Sequence, residues 1–229
     1  MAQNLTLFYH FFVAPDDRGL FWNWWLDEQA GAMEAARVPR VEMYVTMPRY
    51  WNSIYGLPIL ADGSHHHITL EEKLREYVSI RYPFINIAGM RDTGDEPNLY
   101  EGHTLMSLWE YSKKNPDNYV GYVHTKGVMS LSVQTSTWRQ YLNRMFITDW
   151  RNRYIDLIEA NDVAAVLDKQ CDGTQVSGNF FFASTNYVSN LEAPSYENRY
   201  DYEKWILSGK PRLKVVENTG VDHFKDIYL

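Results

Sequence analysis

The sequence contains almost no cysteine, no long apolar run and no excess of positive charge. Cys171 is the only cysteine among 229 residues, which excludes an intramolecular disulfide and a zinc cage built from cysteines. No stretch of 18 apolar residues is present, so the sequence predicts no membrane span. The formal net charge of −7 disfavours a general nucleic-acid surface, which requires clustered Lys and Arg. Together these absences predict a reduced, cytoplasmic protein that does not bind nucleic acid.

Several common catalytic motifs are also missing from the sequence. There is no Gly-x-Gly-x-x-Gly, no Walker loop, no Gly-x-Ser-x-Gly and no His-Glu-x-x-His. His65, His66 and His67 are adjacent, and three adjacent side chains in a helix or strand cannot all face one ion. We therefore expect a solvated loop at this triplet rather than a metal site.

Aromatic residues, in contrast, are abundant. They make up 15% of the chain, with 8 Trp and 17 Tyr. Aromatic rings fill hydrophobic cores, and they also stack on the apolar faces of sugars and bases. At 229 residues with 45% hydrophobic content, the chain can bury a core without disulfides or metals. The sequence thus indicates a globular domain in which some aromatic rings are available to contact a ligand, while most fill the core.

Strand-like and helix-like segments alternate through most of the chain, and the whole of 1–229 is expected to form one domain. This alternation predicts an α/β fold with a mainly parallel sheet covered by helices, whose ligands bind at the carboxyl ends of the strands. The predicted strands are Leu5–Val13, Arg40–Met47, Phe84–Ala88, Tyr119–Val123, Val163–Leu167, Phe180–Ala183 and Leu213–Val216. The longer predicted helices are Asp17–Val38, Pro97–Lys113 and Trp138–Ala160. A shorter amphipathic helix is expected after a cap at Thr69.

Polar side chains follow the predicted strand Tyr119–Val123 directly. His124, Thr125 and Lys126 bring an imidazole, a hydroxyl and an ammonium to the strand end, and Gly127 allows close backbone approach. Lys supplies a compact positive charge that suits a phosphate. This segment therefore predicts a site for an anionic oxygen ligand, with a plain polar turn as the alternative.

Acidic residues follow the predicted strand Phe84–Ala88. Asp92, Asp95 and Glu96 precede Pro97 at an expected helix start. Acidic residues stabilise helix N-termini, and Pro is favoured in the first turn. Carboxylate oxygens are also the ligands that Mg²⁺ and Mn²⁺ prefer. Helix capping and cation binding both remain open for this segment.

Three further positions carry possible chemistry. Asn179 follows a Ser-Gly turn, and its amide offers two donors and an acceptor for sugar hydroxyls. Glu203 lies on a short predicted helix and could deprotonate an acceptor hydroxyl, or pair with Arg199 at the surface. Near the end of the chain, His223 could close over a phosphate or a metal.

Four ordered segments together resemble a known family. They are His-Thr-Lys-Gly at 124–127, Trp-Arg-x-Tyr at 138–141, Ser-Gly-Asn-Phe-Phe at 177–181 and Arg-x-x-x-Glu-x-Trp at 199–205. The set is similar to small GT-A-like glycosyltransferases of bacterial polysaccharide clusters and large algal viruses. This group includes the N-terminal domain of the chlorovirus enzyme that glycosylates the major capsid protein. The resemblance spans about residue 84 to the C-terminus, with a weaker echo at Tyr9-His10 and Glu28-Gln29.

The resemblance implies a GT-A fold and transfer of a hexosyl or deoxyhexosyl group from a nucleotide-diphosphate sugar, with a UDP-sugar favoured. The acceptor would be a glycan or glycoprotein in polysaccharide or capsid glycan biosynthesis, in the host cytoplasm if the protein is viral. Typical members use Mn²⁺ or Mg²⁺ held by an Asp-x-Asp motif, where this chain has His124-Thr125-Lys126. Either Asp92 or Asp95 supplies the metal ligand, with His223 as a possible second ligand and Lys126 assisting, or Lys126 replaces the metal and neutralises the leaving diphosphate.

These considerations assign roles to individual residues. Catalytic roles are expected for Glu203, Lys126 and Asp95, and metal binding for Asp95 and His223. Donor binding is expected for His10, Asp92, His124, Thr125, Asn179 and Arg199, and acceptor binding for Trp138 and Arg139. A non-catalytic glycan-binding module and a two-carboxylate glycosidase remain alternatives. The abrupt ending at Leu229 also favours one domain of a longer protein.

Overall fold

A computed structural model describes residues 4–13, 22–47, 69–92, 101–125, 132–167, 174–195 and 199–218. Seven strands within these ranges form a single sheet. In chain order they are β1 (Leu5–Phe12), β2 (Val41–Met47), β3 (Ile85–Asp92), β4 (Tyr119–His124), β5 (Val163–Leu167), β6 (Phe181–Ser184) and β7 (Leu213–Asn218). Each lies at a strand predicted from the sequence.

Helices cover the sheet. Within the described ranges they are α1 (Trp22–Ala35), α2 (Leu70–Arg81), α3 (Gly102–Lys114), α4 (Val133–Asn143), α5 (Trp150–Arg153), α6 (Ile155–Ala160), α7 (Thr185–Val188) and α8 (Arg199–Trp205). The predicted cap of α2 is confirmed, because the Thr69 hydroxyl accepts a hydrogen bond from the Glu72 backbone amide. None of these described helices combines the length and the apolar character that crossing a membrane requires.

The strand order across the sheet is β3-β2-β1-β4-β6-β5-β7. The pairs β1–β2, β1–β4, β2–β3 and β5–β7 are parallel. Strand β6 is antiparallel to both of its neighbours, β4 and β5. The mixed, mainly parallel sheet flanked by helices is therefore confirmed.

Central strand β1 shows why this sequence forms a sheet covered on both faces. All eight residues of Leu5–Phe12 are buried, and a strand buried on both faces has an almost continuous apolar sequence. Alternate side chains enter different cores, as alternation along a strand requires. Tyr9 and Phe11 pack in one hydrophobic cluster, while Phe8 packs in the other.

The predicted helix Trp138–Ala160 differs most from the structure. It is divided into α4, a π-helical turn at Arg144–Thr148, and the short helices α5 and α6. The π-helical turn accommodates an additional residue, and three successive apolar side chains, Met145, Phe146 and Ile147, are buried there. A regular α-helix would direct one of the three away from the core.

The order in which strands are added to the sheet reverses at β1. Strands β2 and β3 add on one side of β1, and the chain then returns to place β4 on the other side. In open α/β sheets, such a switch point forms a crevice at the carboxyl ends of the two central strands. The ends of β1 and β4 are therefore where a ligand site is expected.

Candidate functional site

Polar residues meet at the carboxyl ends of β1 and β4. His10 of β1 lies opposite His124 of β4 in the parallel ladder. Beyond this pair, the Thr125 amide donates to the His10 carbonyl oxygen at 3.1 Å. The Thr125 hydroxyl accepts a hydrogen bond from the Phe12 amide at 2.8 Å. Three residues predicted to bind the donor, His10, His124 and Thr125, are thus brought together.

A carboxylate that the sequence reasoning missed organises this group. The Glu101 Oε2 atom accepts hydrogen bonds from the Tyr122 hydroxyl at 2.9 Å and the Asn179 Nδ2 at 2.7 Å. Its Oε1 lies 3.2 Å from the His124 Nδ1, and the Glu101 side chain is only 16% exposed. Glu101 therefore holds β4 and the turn that contains Asn179 at fixed positions.

Both ring nitrogens of His124 face acceptors. The Nε2 atom lies 2.7 Å from the Gly178 carbonyl oxygen, while Nδ1 faces the Glu101 carboxylate. A carbonyl oxygen can only accept, and a carboxylate accepts when ionised, so this geometry suits a doubly protonated imidazolium. In that state His124 and Glu101 form an ion pair at the end of β4, with the positive member facing the Gly178 carbonyl oxygen.

The turn that faces His124 requires an unusual backbone. Gly178 and Asn179 have φ angles of 60° and 58°, both in the left-handed region. A Cβ atom at Gly178 would lie 2.6 Å from the Leu142 Cδ1, which is shorter than van der Waals contact. Glycine is therefore needed for the carbonyl group to approach His124, and Asn tolerates the left-handed conformation that follows.

His10 is a neutral side chain in this setting. Burial and the neighbouring rings of His103 and His124 hold the pKa of His10 well below its usual range. The His10 Nδ1 lies 2.9 Å from the Thr104 hydroxyl oxygen. Its other ring nitrogen, Nε2, is buried and has no hydrogen-bond partner among the described residues. A neutral imidazole can present this nitrogen to a sugar or phosphate oxygen.

Asn179 and Tyr122 are the other polar residues that surround Glu101. The Asn179 Oδ1 is buried without a hydrogen-bond partner in the described part of the chain. Buried polar atoms are nearly always paired in proteins, so this unpaired oxygen marks a place for water or a ligand. Burial and the Glu101 carboxylate raise the pKa of Tyr122 well above its usual value, so its phenol stays protonated and donates to Glu101.

Side chains of α1 and α4 support the site from behind. The Gln29 amide donates to the His124 carbonyl oxygen at 3.1 Å and to the Asn143 Oδ1 at 2.8 Å. The Asn143 amide donates to the Glu28 Oε1 at 2.9 Å. Arg139 contacts both carboxylate oxygens of Glu28 at 3.2–3.3 Å. A continuous polar chain thus runs from Arg139 to the end of β4.

The residues predicted to bind the acceptor lie in this supporting layer. Trp138 and Arg139 are both buried, with Trp138 stacked on Tyr141. Arg139 lies over the ring of Trp25, with 4.1 Å between the guanidinium carbon and the ring centroid. Their expected contact with an acceptor stays a prediction.

Other predicted residues are placed less fully. Glu203 is half-buried on α8, which packs against the short turn Ser177–Asn179. Arg199 begins α8, and Asp92 ends β3 opposite Met47 of β2. The Asp92 backbone is therefore two strands from β1 in the sheet. The remaining predicted residues, Lys126, Asp95 and His223, lie outside the described ranges, as do His65–His67 and Cys171.

The predicted divalent metal is not matched by the donor groups seen here. Within the described ranges, no three His, Cys, Asp or Glu side chains come together in a way that could hold a metal ion. Both oxygens of Glu101 already face His124, Tyr122 and Asn179. These residues therefore do not fit a metal centre.

No local sequence signal identifies Glu101, because the predicted helix Pro97–Lys113 places it inside the helix. It occupies the N-cap position of α3, and acidic residues there usually accept a backbone hydrogen bond. Its side chain makes no such bond in the structure. An acidic side chain at the start of a helix can thus bond either the helix backbone or a side chain elsewhere in the fold. Only the tertiary structure shows which of these partners it uses.

Comparisons with known proteins give one family and a set of distant structural likenesses. The family model described as Domain of unknown function (DUF8361) matches residues 8–225. No curated protein matches the sequence. A candidate nucleotide-diphospho-sugar transferase from Desulfovibrio desulfuricans G20 has a TM-score of 0.40 and 8% identity, covering 94% of this chain and 80% of its own. Galactosyltransferase LgtC, solved with donor and acceptor sugar analogues, has a TM-score of 0.42 and 11% identity, covering 90% of this chain and 72% of its own. Because the family model spans nearly the whole sequence, the chain belongs to the DUF8361 family.

Proposed function

We propose that this member of the DUF8361 family is a glycosyltransferase that moves a sugar from a nucleotide-diphosphate donor to a glycan or glycoprotein acceptor. The observation that carries the proposal is the buried polar group at the switch point of the sheet, formed by His10, Glu101, His124 and Asn179. A crevice at this point of an α/β sheet is the usual place for a nucleotide. The four-segment resemblance to GT-A-like transferases supports the same activity.

The charge at the end of β4 suits the diphosphate. His124 as an imidazolium would place positive charge next to Thr125, and the predicted cation Lys126 follows directly in the sequence. Fixed charges aimed at a leaving group stabilise it as the glycosidic bond to the diphosphate breaks. In this proposal the positive charge comes from His124 and Lys126, and no step depends on a metal. Any Mn²⁺ or Mg²⁺ would require ligands outside the described ranges, where Asp95 and His223 are the predicted ones.

The neutral groups suit the sugar. The buried Nε2 of His10 and Oδ1 of Asn179 have no hydrogen-bond partner among the described residues, so each can bond a hydroxyl group without bringing an uncompensated charge into the site. Glu203, on a helix that packs against the Asn179 turn, is the proposed base for the acceptor hydroxyl. A UDP-sugar that carries a hexosyl or deoxyhexosyl group is the proposed donor.

A nucleotide screen tests the proposal directly. The thermal midpoint would be measured with UDP, GDP, CDP and dTDP, each with and without Mn²⁺, and with matched nucleosides as controls. A transferase is stabilised by its nucleoside diphosphate, by about 2.7 kcal/mol at a ligand concentration 100 times the Kd. A pure glycan-binding module predicts no shift with any nucleotide. A glycosidase predicts hydrolysis of free glycosides with no nucleotide dependence.

Donor turnover then tests the site assignment. Hydrolysis of UDP-glucose, UDP-galactose and UDP-rhamnose would be compared for the wild type, His124→Ala and Asn179→Ala. We expect the His124 variant to lose more turnover than the Asn179 variant, because the former removes charge at the leaving group. Unchanged turnover in both variants would show that the reaction takes place elsewhere.

A further inference from the structure

We propose that Trp24 and Trp25, at the start of α1, form a platform on which the acceptor saccharide stacks. The proposal rests on the proposed function, because it assigns the acceptor subsite of the same site. Trp24 is 66% exposed, and it is the only aromatic residue among the exposed large hydrophobic side chains of the described ranges. Contiguous exposed apolar surface marks interaction sites, and the half-buried ring of Trp25 extends the exposed surface of Trp24.

The exposed indole ring of Trp24 is stacked on the half-buried ring of Trp25. The centroids of Trp24 and Trp25 are 6.1 Å apart, and their planes differ by only 15°. Trp25 is held in turn by the guanidinium of Arg139, whose central carbon lies 4.1 Å from its centroid. Glu28 orients Arg139 through hydrogen bonds to both Nε and Nη2. A surface that is already ordered loses little entropy when a ligand stacks on it.

The platform lies at the same edge of the sheet as the candidate site. Strand β1 ends at Phe12, and α1 then begins at Trp22, so the first turn of α1 is at the carboxyl edge. One turn further along α1, Gln29 donates a hydrogen bond to the carbonyl oxygen of His124. The hydrogen bonds through Glu28, Asn143 and Gln29 connect Arg139, beneath the platform, to the end of β4. A ligand on the platform would thus be connected to the proposed transfer site through this chain of contacts.

Charge favours a neutral saccharide over the nucleotide as the occupant. The sequence of α1 contains Asp27, Glu28 and Glu34 and no Lys or Arg. Arg139 compensates Glu28, while among the described residues Asp27 accepts hydrogen bonds from the neutral hydroxyls of Tyr77 and Tyr82 and has Arg81 as its nearby cation. A diphosphate would meet net negative charge there, whereas the C–H face of a sugar ring can pack on an indole without any charge. The nucleotide is therefore expected at the β1–β4 crevice and the saccharide at the platform.

Saccharide and nucleotide titrations of matched variants test the platform. Saturation-transfer NMR and calorimetry would measure the affinities of the wild type, Trp24→Ala and Trp24→Phe for lactose, maltotriose, cellotriose and chitotriose, and for UDP. The control is Ile80→Ala, which removes another exposed apolar side chain, on α2. Trp24→Ala is expected to bind the preferred saccharide about tenfold more weakly, Trp24→Phe within about threefold of the wild type, and Ile80→Ala unchanged. Affinity for UDP is expected to be the same in all four proteins.

Three outcomes would overturn the platform. They are saccharide affinity that Trp24→Ala leaves unchanged, a wild type that binds none of the four saccharides, and a loss of UDP affinity in place of saccharide affinity. The last result would assign the ring to a nucleobase. Failure of the wild type to bind any nucleoside diphosphate would instead refute the proposed transferase, while saccharide binding that depends on Trp24 would still establish the platform as a glycan site.

Discussion

The two edges of the sheet differ in how their polar groups are held. At the carboxyl edge, Glu101, His124 and Asn179 are largely buried and bonded to one another across distant parts of the chain. At the amino edge, a pocket of about 460 Å³ opens at the starts of β4, β5 and β7. Its polar residues, among them Asp117, Asp162, Asn186 and Arg212, also pair across distant parts of the chain, but they are partly or fully exposed to water.

The pocket at the amino edge is thus lined by exposed polar groups, whereas the buried polar groups lie at the carboxyl edge. Burying a polar or charged group without full compensation raises the free energy of the folded state, so such groups persist where they serve a purpose. An exposed pocket lined by hydrated side chains has no comparable cost. Desolvated polar groups therefore locate the candidate site better than the volume of an opening does, and the following experiments test that difference.

The largest expected effect is on stability, from Arg139→Ala at the carboxyl edge. The Arg139 side chain is 4% exposed and its partner Glu28 is 26% exposed. Removing one member of a buried ion pair leaves the other uncompensated and typically costs about 3–5 kcal/mol of unfolding free energy. Urea denaturation would measure the loss. A loss below about 1 kcal/mol would mean that this edge is as well solvated as the other.

The next effect is on catalysis, from Glu101→Ala. We expect donor turnover to fall at least about 100-fold, because His124, Tyr122 and Asn179 lose the acceptor that positions them. Glu159→Ala is the matched control, since Glu159 lines the amino-edge pocket and is exposed. Its turnover is expected to stay within about twofold of the wild type. Similar losses of turnover in Glu101→Ala and Glu159→Ala would show that the two edges of the sheet do not differ in their importance for catalysis.

The edges should also respond to acid in different ranges of pH. The folded-state pKa of His10 is lowered, so protons bind preferentially to the unfolded chain once the pH falls below about 6.5. Stability contributed by neutral His10 is therefore lost as the pH decreases from there, by at most about 1.4 kcal/mol per pH unit. Arg212 lowers the pKa of Asp162, and that contribution is lost only below about pH 4.

Unfolding free energies measured between pH 7 and pH 5 check this expectation. The His10→Gln variant should show a shallower dependence on pH than the wild type over this range. An Asp162→Asn variant should retain the wild-type dependence there. Equal slopes for the wild type and His10→Gln would show that His10 does not titrate as its burial requires.

The smallest effect is expected from Arg212→Ala at the amino edge. Arg212 and Asp162 form a bidentate pair, but their side chains are 70% and 24% exposed. Water compensates each charge when its partner is removed, so exposed pairs of this kind contribute about 0–1 kcal/mol. Urea denaturation beside Arg139→Ala gives the direct comparison. A cost close to that of Arg139→Ala would remove the distinction between the edges.

The sequence predicted the elements of the fold better than their connections. Strand β1 and helix α2 carry local signals, a buried apolar run and a Thr69–Glu72 capping box, which depend little on the rest of the chain. The antiparallel direction of β6 has no such signal, because a strand buried on both faces has the same composition in either direction. The π-helical turn at Arg144–Thr148 likewise contains neither Pro nor Gly to indicate a break.

Candidate site residues also divide into those with a local sequence signal and those that depend on long-range contacts. His124 and Thr125 could be predicted because they follow a strand directly, where α/β sheets bind ligands. Asn179 was predicted from its Gly-Asn turn, and its partner Glu101 was not, because 78 positions separate the two residues. The pairing of Glu28 with Arg139 also joins α1 to α4 across 111 positions. Contacts of this range are set by the tertiary structure and leave no spacing in the sequence.

The reversed strand β6 has a consequence for the order in which the molecule can assemble. It is the sole link in the described sheet between the first four strands and the pair β5–β7. The residues just before it carry Gly178 and Asn179 to His124 and Glu101. During synthesis, Glu101 and His124 emerge from the ribosome well before these partners, and their polar groups must remain hydrated until β6 docks beside β4. The site is thus complete only once β6 lies beside β4, which is also the pairing that attaches β5 and β7 to the rest of the sheet.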